Sequence, residues 1–280
     1  MKLTTTDESW IVVTFSSGKT WNKAIRRNQK MLEKKLNYNL IYAPYDEKFL
    51  KETKYWQQIE RFTSENSNGF GLWIWKPLIL LDALSKYHFA QGAIYIDAGC
   101  EINLNKKSSK RLEYYKKMAT ENNFLTFELD HLEHDYTNHN VIANFLPNLP
   151  NNSKQICATT FLIANSSYAT NFLITWYDKM KENNFYNLKP SNNYDTDSLE
   201  LKHINHRHDQ SVFSLLLKSE NISPIKDETY WAPNWKKSGL EFPIWATRNR
   251  RGYSVKIFPK LQIFLKYLAR KFKFAKSFLK

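Results

Sequence analysis

Cysteine is scarce in this sequence, with two among 280 residues, Cys100 and Cys157. Two cysteines make neither a disulfide framework nor a spaced metal cluster, so a reducing compartment, the cytoplasm, is the default expectation. Long apolar runs are also lacking. No stretch approaches the roughly 18 apolar residues of a membrane-spanning helix, and Asp7 and Glu8 stand where a signal peptide would carry its apolar region. Neither export by that route nor a helical anchor is expected. There is no internal repeat, no linker that would separate two domains and no recognised nucleic-acid motif. Negative charge is missing from one end: no Asp or Glu follows Glu241.

What is present suffices for one packed core, at 42% hydrophobic and 15% aromatic content. The expected organisation is a single domain over residues 1–255 and a basic tail over 256–280. The net charge of +14 supports that division, because eight basic residues lie between Lys256 and Lys280 and the rest of the chain carries +6. The excess belongs largely to the tail.

"WIVVTFSS" (10–17) reads as a buried strand that stops at Ser16-Ser17-Gly18; a helical pattern follows from Trp21 to about Leu36, and "YNLIYA" (38–43) as a second strand. Strand, helix and strand within about 30 residues is a parallel βαβ unit. Residues 46–66 are polar and helical in pattern, and Gly69 and Gly71 break them. "WKPLILLDALSKYHF" predicts a helix with Pro77 in its first turn, where the missing N–H costs nothing. It leads to the strand "AIYIDA", a helix over about Lys107–Glu121, and strands at "FLTFEL" and "QICATTFLIAN". Helices at Ser167–Lys181 and His208–Lys218 flank a polar stretch, 183–205, long enough for a binding loop or lid. The alternation predicts an α/β domain with a mainly parallel sheet flanked by helices.

Within "GAIYIDAGCEIN" (92–103) an apolar run delivers Asp97 to a strand end, beside the small Ala98 and Gly99. Ligands of open α/β sheets gather beyond the carboxyl ends of the strands. A carboxylate there suits a metal-bridged diphosphate, with Mg²⁺ or Mn²⁺ shared between carboxylate and phosphate oxygens. A turn-forming or helix-capping Asp gives the same pattern. On this segment alone both readings stay open.

Three segments together, "GFGLWIWKPLILLDAL" (69–84), "GAIYIDAGCEIN" and "HRHDQSVFSLL" (206–216), resemble a group of bacterial glycosyltransferase-type proteins that build surface polysaccharides. Their layout is similar to that of the GT-A nucleotide-sugar transferases, families 8 and 32 among them, and the ordered match spans about residues 10–250. The resemblance implies a GT-A-like fold and a nucleotide-diphosphate sugar as donor, with uridine beside the end of the first strand. It implies a cation, Mn²⁺ or Mg²⁺, on a strand-end Asp-x-Asp motif. Asp97 matches the first carboxylate of that motif, but Gly99 stands in the second position, and Glu101 would have to supply the other oxygen. Asp209 and Gln210 match the first two residues of the family 8 Asp-Gln-Asp segment that lies beside the transferred sugar. A carboxylate there can act as a base or stabilise developing positive charge; a helix-capping Asp209 is the plainer alternative.

Further contacts to the nucleotide sugar are expected from Lys76 and Trp75 at a helix N-terminus that attracts anions. Thr14 and Ser16 lie just past the first strand, and Arg248 within "TRNRRG" can stabilise the departing nucleoside diphosphate. Trp73 and Trp75 either stack on a sugar or pack in the core. His206 and His208 lack a third ligand for zinc, and structural roles are expected of them. The tail, "KLQIFLKYLARKFKFAKSFLK" (260–280), has the period of a basic amphipathic helix that would lie on an anionic membrane surface or pack on the domain.

The expected function is therefore a hexosyltransferase-type enzyme. It would take a UDP-sugar to a saccharide acceptor, a growing surface glycan, free or lipid-linked, at the inner face of the cytoplasmic membrane and without a nucleic-acid partner. The rival is a non-catalytic basic module whose tail grips nucleic acid or another polyanion.

Overall fold

The computed structural model describes residues 8–33, 39–190, 205–229 and 239–254. The chain runs β1 (Trp10–Ser16), α1 (Gly18–Glu33), β2 (Leu40–Asp46), α2 (Glu47–Glu52), α3 (Trp56–Glu65), a distorted turn α4 (Gly69–Leu72), α5 (Lys76–Lys86) and β3 (Gly92–Ile96). There follow β4 (Glu101–Ile102), α6 (Lys106–Asn122), β5 (Phe124–Leu125), β6 (Phe127–Leu132), α7 (Glu133–Tyr136), α8 (His139–Phe145), β7 (Lys154–Ile156), β8 (Thr160–Ala164) and α9 (Ser167–Phe185). The last elements are α10 (Asp209–Ser219), β9 (Ile225–Lys226), a 3₁₀ turn (Gly239–Glu241) and β10 (Ile244–Trp245).

The central sheet has the order β2-β1-β3-β8-β5. β1 pairs in parallel with β2 and β3, β8 runs antiparallel to β3, and β5 runs antiparallel to β8. Four strands thus point one way and β8 the other, so the expected mainly parallel α/β sheet is present. Side chains alternate between its faces, as a two-residue period requires. Ile11, Val13, Phe15, Ala93, Tyr95 and Phe161 join α5, α9 and α10 in one core layer. Trp10, Val12, Ile94, Ile96 and Leu162 join α1 and α6 in the other. Both faces are covered, which is why β1 and β3 read as unbroken apolar runs.

Two expected single strands are split. "FLTFEL" divides at Thr126 into β5 of the central sheet and β6 of a separate sheet, β7-β6-β9; "QICATTFLIAN" divides likewise into β7 and β8. The backbone leaves one sheet for another at the same level in both segments, where the Cys157 N–H still bonds the Phe127 carbonyl at 2.8 Å. The helix from Trp21 begins three residues earlier, at Gly18, and α5 carries Pro77 in its first turn as expected. The polar stretch 183–205 lies partly outside the described residues, and the tail over 256–280 wholly so. Among the described residues no helix is long and apolar enough to cross a membrane.

Candidate active site

Asp97 stands one residue beyond β3, at the carboxyl end of a strand flanked by β1 and β8. Its backbone N–H bonds the Thr159 carbonyl (2.9 Å), and its carbonyl receives the Cys100 N–H (2.8 Å), which closes a turn over residues 97–100. Behind it lie the first residue of α5, Lys76, and the first of α10, Asp209.

Lys76 joins the two acids. Its Nζ lies 2.7 Å from Asp209 Oδ2 and 3.5 Å from Asp97 Oδ1, and it donates to the Ala158 carbonyl at 2.9 Å. Tyr95 adds a second hold on Asp97: its hydroxyl donates to Oδ1 at 2.6 Å, while its ring lies under the ammonium. The three members differ in access. The side chains of Lys76 and Asp209 are 4% and 5% exposed, and that of Asp97 is 32% exposed. Asp97 is the most accessible of the three, with Oδ1 held by Tyr95 and Lys76.

Burial pulls the Lys76 ammonium down, but the fields of Asp209 and Asp97 outweigh it and hold the pKa above the usual lysine value. Asp209 is pushed up to about 6, first by loss of water, against the pull of Lys76 and with a further push from Asp97. The Tyr95 phenol is driven well above its usual range by burial and by the Asp97 charge, so it remains a donor.

A second wall comes from the far end of the described chain. The segment Thr247–Asn249 crosses the 97–100 turn: Asn249 N–H and Thr247 Oγ1 each donate to the Gly99 carbonyl at 2.9 Å. A Cβ on Gly99 would stand 3.0 Å from Arg248 Cα and 3.2 Å from Trp21, so this position needs glycine for close backbone approach. Arg248 takes a positive φ of 53° and its side chain is exposed. Near it lies Arg207, half-buried with its guanidinium on the Tyr136 ring (3.9 Å) and Nη1 donating to Gln155 Oε1 (3.3 Å). Burial, and the proximity of the Arg248 charge, pull the Arg207 pKa down against Tyr136. The Arg248 charge is thus near enough to act on the Arg207 guanidinium.

The latch that holds this wall was not foreseen. Arg27 of α1 is buried and donates through Nη1 to the carbonyls of Asn249 and Arg251 (2.8 Å each) and through Nη2 to that of Cys100 (2.7 Å). Glu101 is buried beside it and accepts from Asn249 Nδ2 at 2.7 Å and from the hydroxyl of Ser254.

The structure thus brings Asp97, Lys76, Asp209, Gly99 and Arg248 to one strand-end region. Other expected contacts are placed differently. Glu101 points into the 247–254 segment, so it does not share a ligand with Asp97. Lys76 faces three protein oxygens and has no donor turned toward a diphosphate. Gln210 accepts from the Ala158 N–H (3.2 Å) and donates to Gln155 Oε1 (2.7 Å), a tie between α10 and the β7–β8 connection. Trp75 is buried, stacked on Phe15 with centroids 3.9 Å apart, and bonded through Nε1 to the Gly69 carbonyl; it has no open face for a sugar. Thr14 is buried within β1, and Ser16, also buried, donates to Asn22. Trp73 lies half-buried over His208. His206 and His208 bond the carbonyls of Asn187 and Leu188, structural roles as expected, and burial holds His208 below its usual pKa.

A divalent cation fits this arrangement poorly. The two carboxylates that could share it already share an ammonium, and the third is turned away. Among the described residues no group of three or more His, Cys, Asp or Glu side chains is placed to hold a metal. The latch residues Arg27 and Glu101 carried no local signal, because the partners named above are 73 to 224 positions away. For Arg207 the only hint was its place between two histidines and next to Asp209-Gln210.

No protein-family model matches the sequence, and no curated protein matches it. Among solved structures, the chain is similar to a glycosyltransferase involved in the glycosylation of the major capsid of PBCV-1 (TM-score 0.47, 9% identity, covering 85% of this chain and 91% of that one). It is similar in the same degree to mouse xyloside xylosyltransferase 1 in its apo form (TM-score 0.47, 9% identity, covering 85% of this chain and 97% of that one).

Proposed function

We propose that the protein is a glycosyltransferase that moves a sugar from a uridine-diphosphate donor to a hydroxyl of a saccharide acceptor. The observation that carries this reading is the convergence of Asp97 and Asp209 on Lys76 at a strand end whose 97–100 turn is crossed by the segment bearing Arg248. Acid and base chemistry sit side by side there. Asp97 Oδ2 accepts hydrogen bonds from donor hydroxyls, and its geometry is fixed in advance by Tyr95 and Lys76, so no ordering cost falls on the bound state. The guanidinium of Arg248, aided by Arg207, neutralises the charge that builds on the nucleoside diphosphate as the sugar–phosphate bond breaks. Asp209 and Gln210 act from behind, as positioning residues. The sequence resemblance of the same three segments supports the donor class.

The acceptor belongs to the same proposal. A surface glycan carried on a lipid would bring the enzyme to the inner face of the cytoplasmic membrane, and the basic stretch 256–280 would meet the anionic headgroups there.

A thermal-shift titration with uridine diphosphate against guanosine and adenosine diphosphates tests the donor class. Selective stabilisation by the uridine nucleotide, growing with concentration, is expected. Unchanged melting with all three, together with salt-sensitive polyanion binding, would favour the basic binding module instead.

A further inference from the structure

We propose that the Lys76 ammonium occupies the place a divalent cation would take between two site carboxylates, so that a nucleoside diphosphate binds here without a divalent metal; this rests on the nucleotide-sugar reading above. The ammonium has an all-oxygen surround of the kind hard cations take: Asp209 Oδ2 at 2.7 Å, the Ala158 carbonyl at 2.9 Å and Asp97 Oδ1 at 3.5 Å. These are hydrogen-bond and ion-pair distances, longer than the ~2.1 Å of a Mg²⁺–oxygen bond.

The lysine cannot easily vacate the position. Lys76 is buried where α5 starts, with its ammonium held over the Tyr95 ring and bonded to the Ala158 carbonyl. Moving the ammonium out would leave Asp209, 5% exposed, as an unpaired buried charge. A metal entering beside it would place a divalent charge within a few ångströms of a fixed monovalent one. The remaining candidate oxygen donor, Glu101, is engaged by Asn249 and Ser254. The charge that a metal would bring to the diphosphate is supplied instead by Arg248, whose backbone lies against Gly99, and by Arg207 near it.

Two titrations test this on the full chain. Mn²⁺ alone, followed by the loss of its free-ion electron paramagnetic resonance signal, is expected not to bind the wild type below about 1 mM. In Lys76→Ala the two carboxylates are released, and one Mn²⁺ is expected to bind more tightly than that, and to be lost again in Lys76→Ala/Asp97→Asn. Calorimetric binding of uridine diphosphate to the wild type is expected to differ by less than about fivefold between excess chelator and 1 mM Mn²⁺, roughly 1 kcal/mol. Wild-type Mn²⁺ binding in that range, a larger gain in nucleotide affinity with Mn²⁺, or a folded Lys76→Ala that gains no Mn²⁺ would each overturn the proposal. Should Lys76→Ala fail to fold, the wild-type titrations decide. If uridine diphosphate binds under neither condition, the nucleotide reading falls, while the Mn²⁺ titrations still report whether the ammonium holds a cation's place.

Discussion

Asp97 and Asp209 lean on the same ammonium, yet their surroundings give them different work. Asp97 keeps one oxygen toward solvent, so Asp97→Asn should leave the melting temperature near that of the wild type. It should weaken donor binding by about 1.5–3 kcal/mol, the worth of a hydrogen bond to a charged group, or on the order of 10- to 100-fold in Kd by calorimetry. Asp209 is buried, and Asp209→Ala strands the Lys76 ammonium beside a lost partner. A destabilisation of about 3–5 kcal/mol in urea unfolding is expected. Its pKa of about 6 also sets a pH dependence. The folded protein takes up this proton near pH 6 and the unfolded chain only near the ordinary aspartate value, so the carboxylate's burial cost is fully present above pH 6 and is relieved as pH falls below it. Transfer should show the opposite trend. Protonation removes the closest counter-charge of Lys76 and loosens its hold on Asp97, so kcat is expected to be flat above pH 6.5 and to fall through an acid limb near pH 6. A profile flat down to pH 5 would remove Asp209 from the working site.

At the scale of elements, the wall bearing Arg248 is attached by few but buried bonds. Arg27 of α1 supplies two of them, to the carbonyls of Asn249 and Arg251, and a third to the Cys100 carbonyl ties the same guanidinium to the 97–100 turn. Arg27→Ala should release the 247–254 segment from the 97–100 turn while the central sheet stays paired. Limited trypsin digestion would then cut at Arg248, Arg250 or Arg251 at least several-fold faster than in the wild type. A comparable tie joins α7 to α10: Glu133, fully buried, accepts from Lys218 Nζ at 2.6 Å and from the hydroxyls of Ser214 and Thr137. Glu133→Ala should cost about 3–5 kcal/mol in chemical denaturation, because Lys218 would keep its burial and lose its partner. Such ties explain what the sequence could and could not disclose. β1, α1, α5 and the delivery of Asp97 to a strand end were legible, since apolar runs, Pro77 and the switch to Ala-Gly are local signals. The role of Lys76 was not: a lysine at a helix start is the same letter whether it faces a phosphate or is enclosed by two acids from other elements. The splitting of 124–129 and 155–165 was equally hidden, because a two-residue period records which face a residue takes and not which sheet the strand joins.

For the whole molecule, charge is the property that composition shows best. The positive excess over 256–280 lies outside the described residues, and its consequence is tested on the complete chain. Sedimentation with vesicles containing anionic lipid should carry the protein down at low ionic strength and release it as salt rises. A chain ending at Ser254 should stay in the supernatant at every salt concentration. Equal sedimentation of both would place the contact elsewhere. In the folded part, position along the chain separates the elements of the site. Every strand of the central sheet precedes Asn165, whereas Arg248 and its neighbours are nearly the last described residues to leave the ribosome. The segment that carries Arg248 is therefore the latest part of the site in chain order, and a product terminated before it would possess both acids and Arg207 without the strand of backbone that crosses the 97–100 turn.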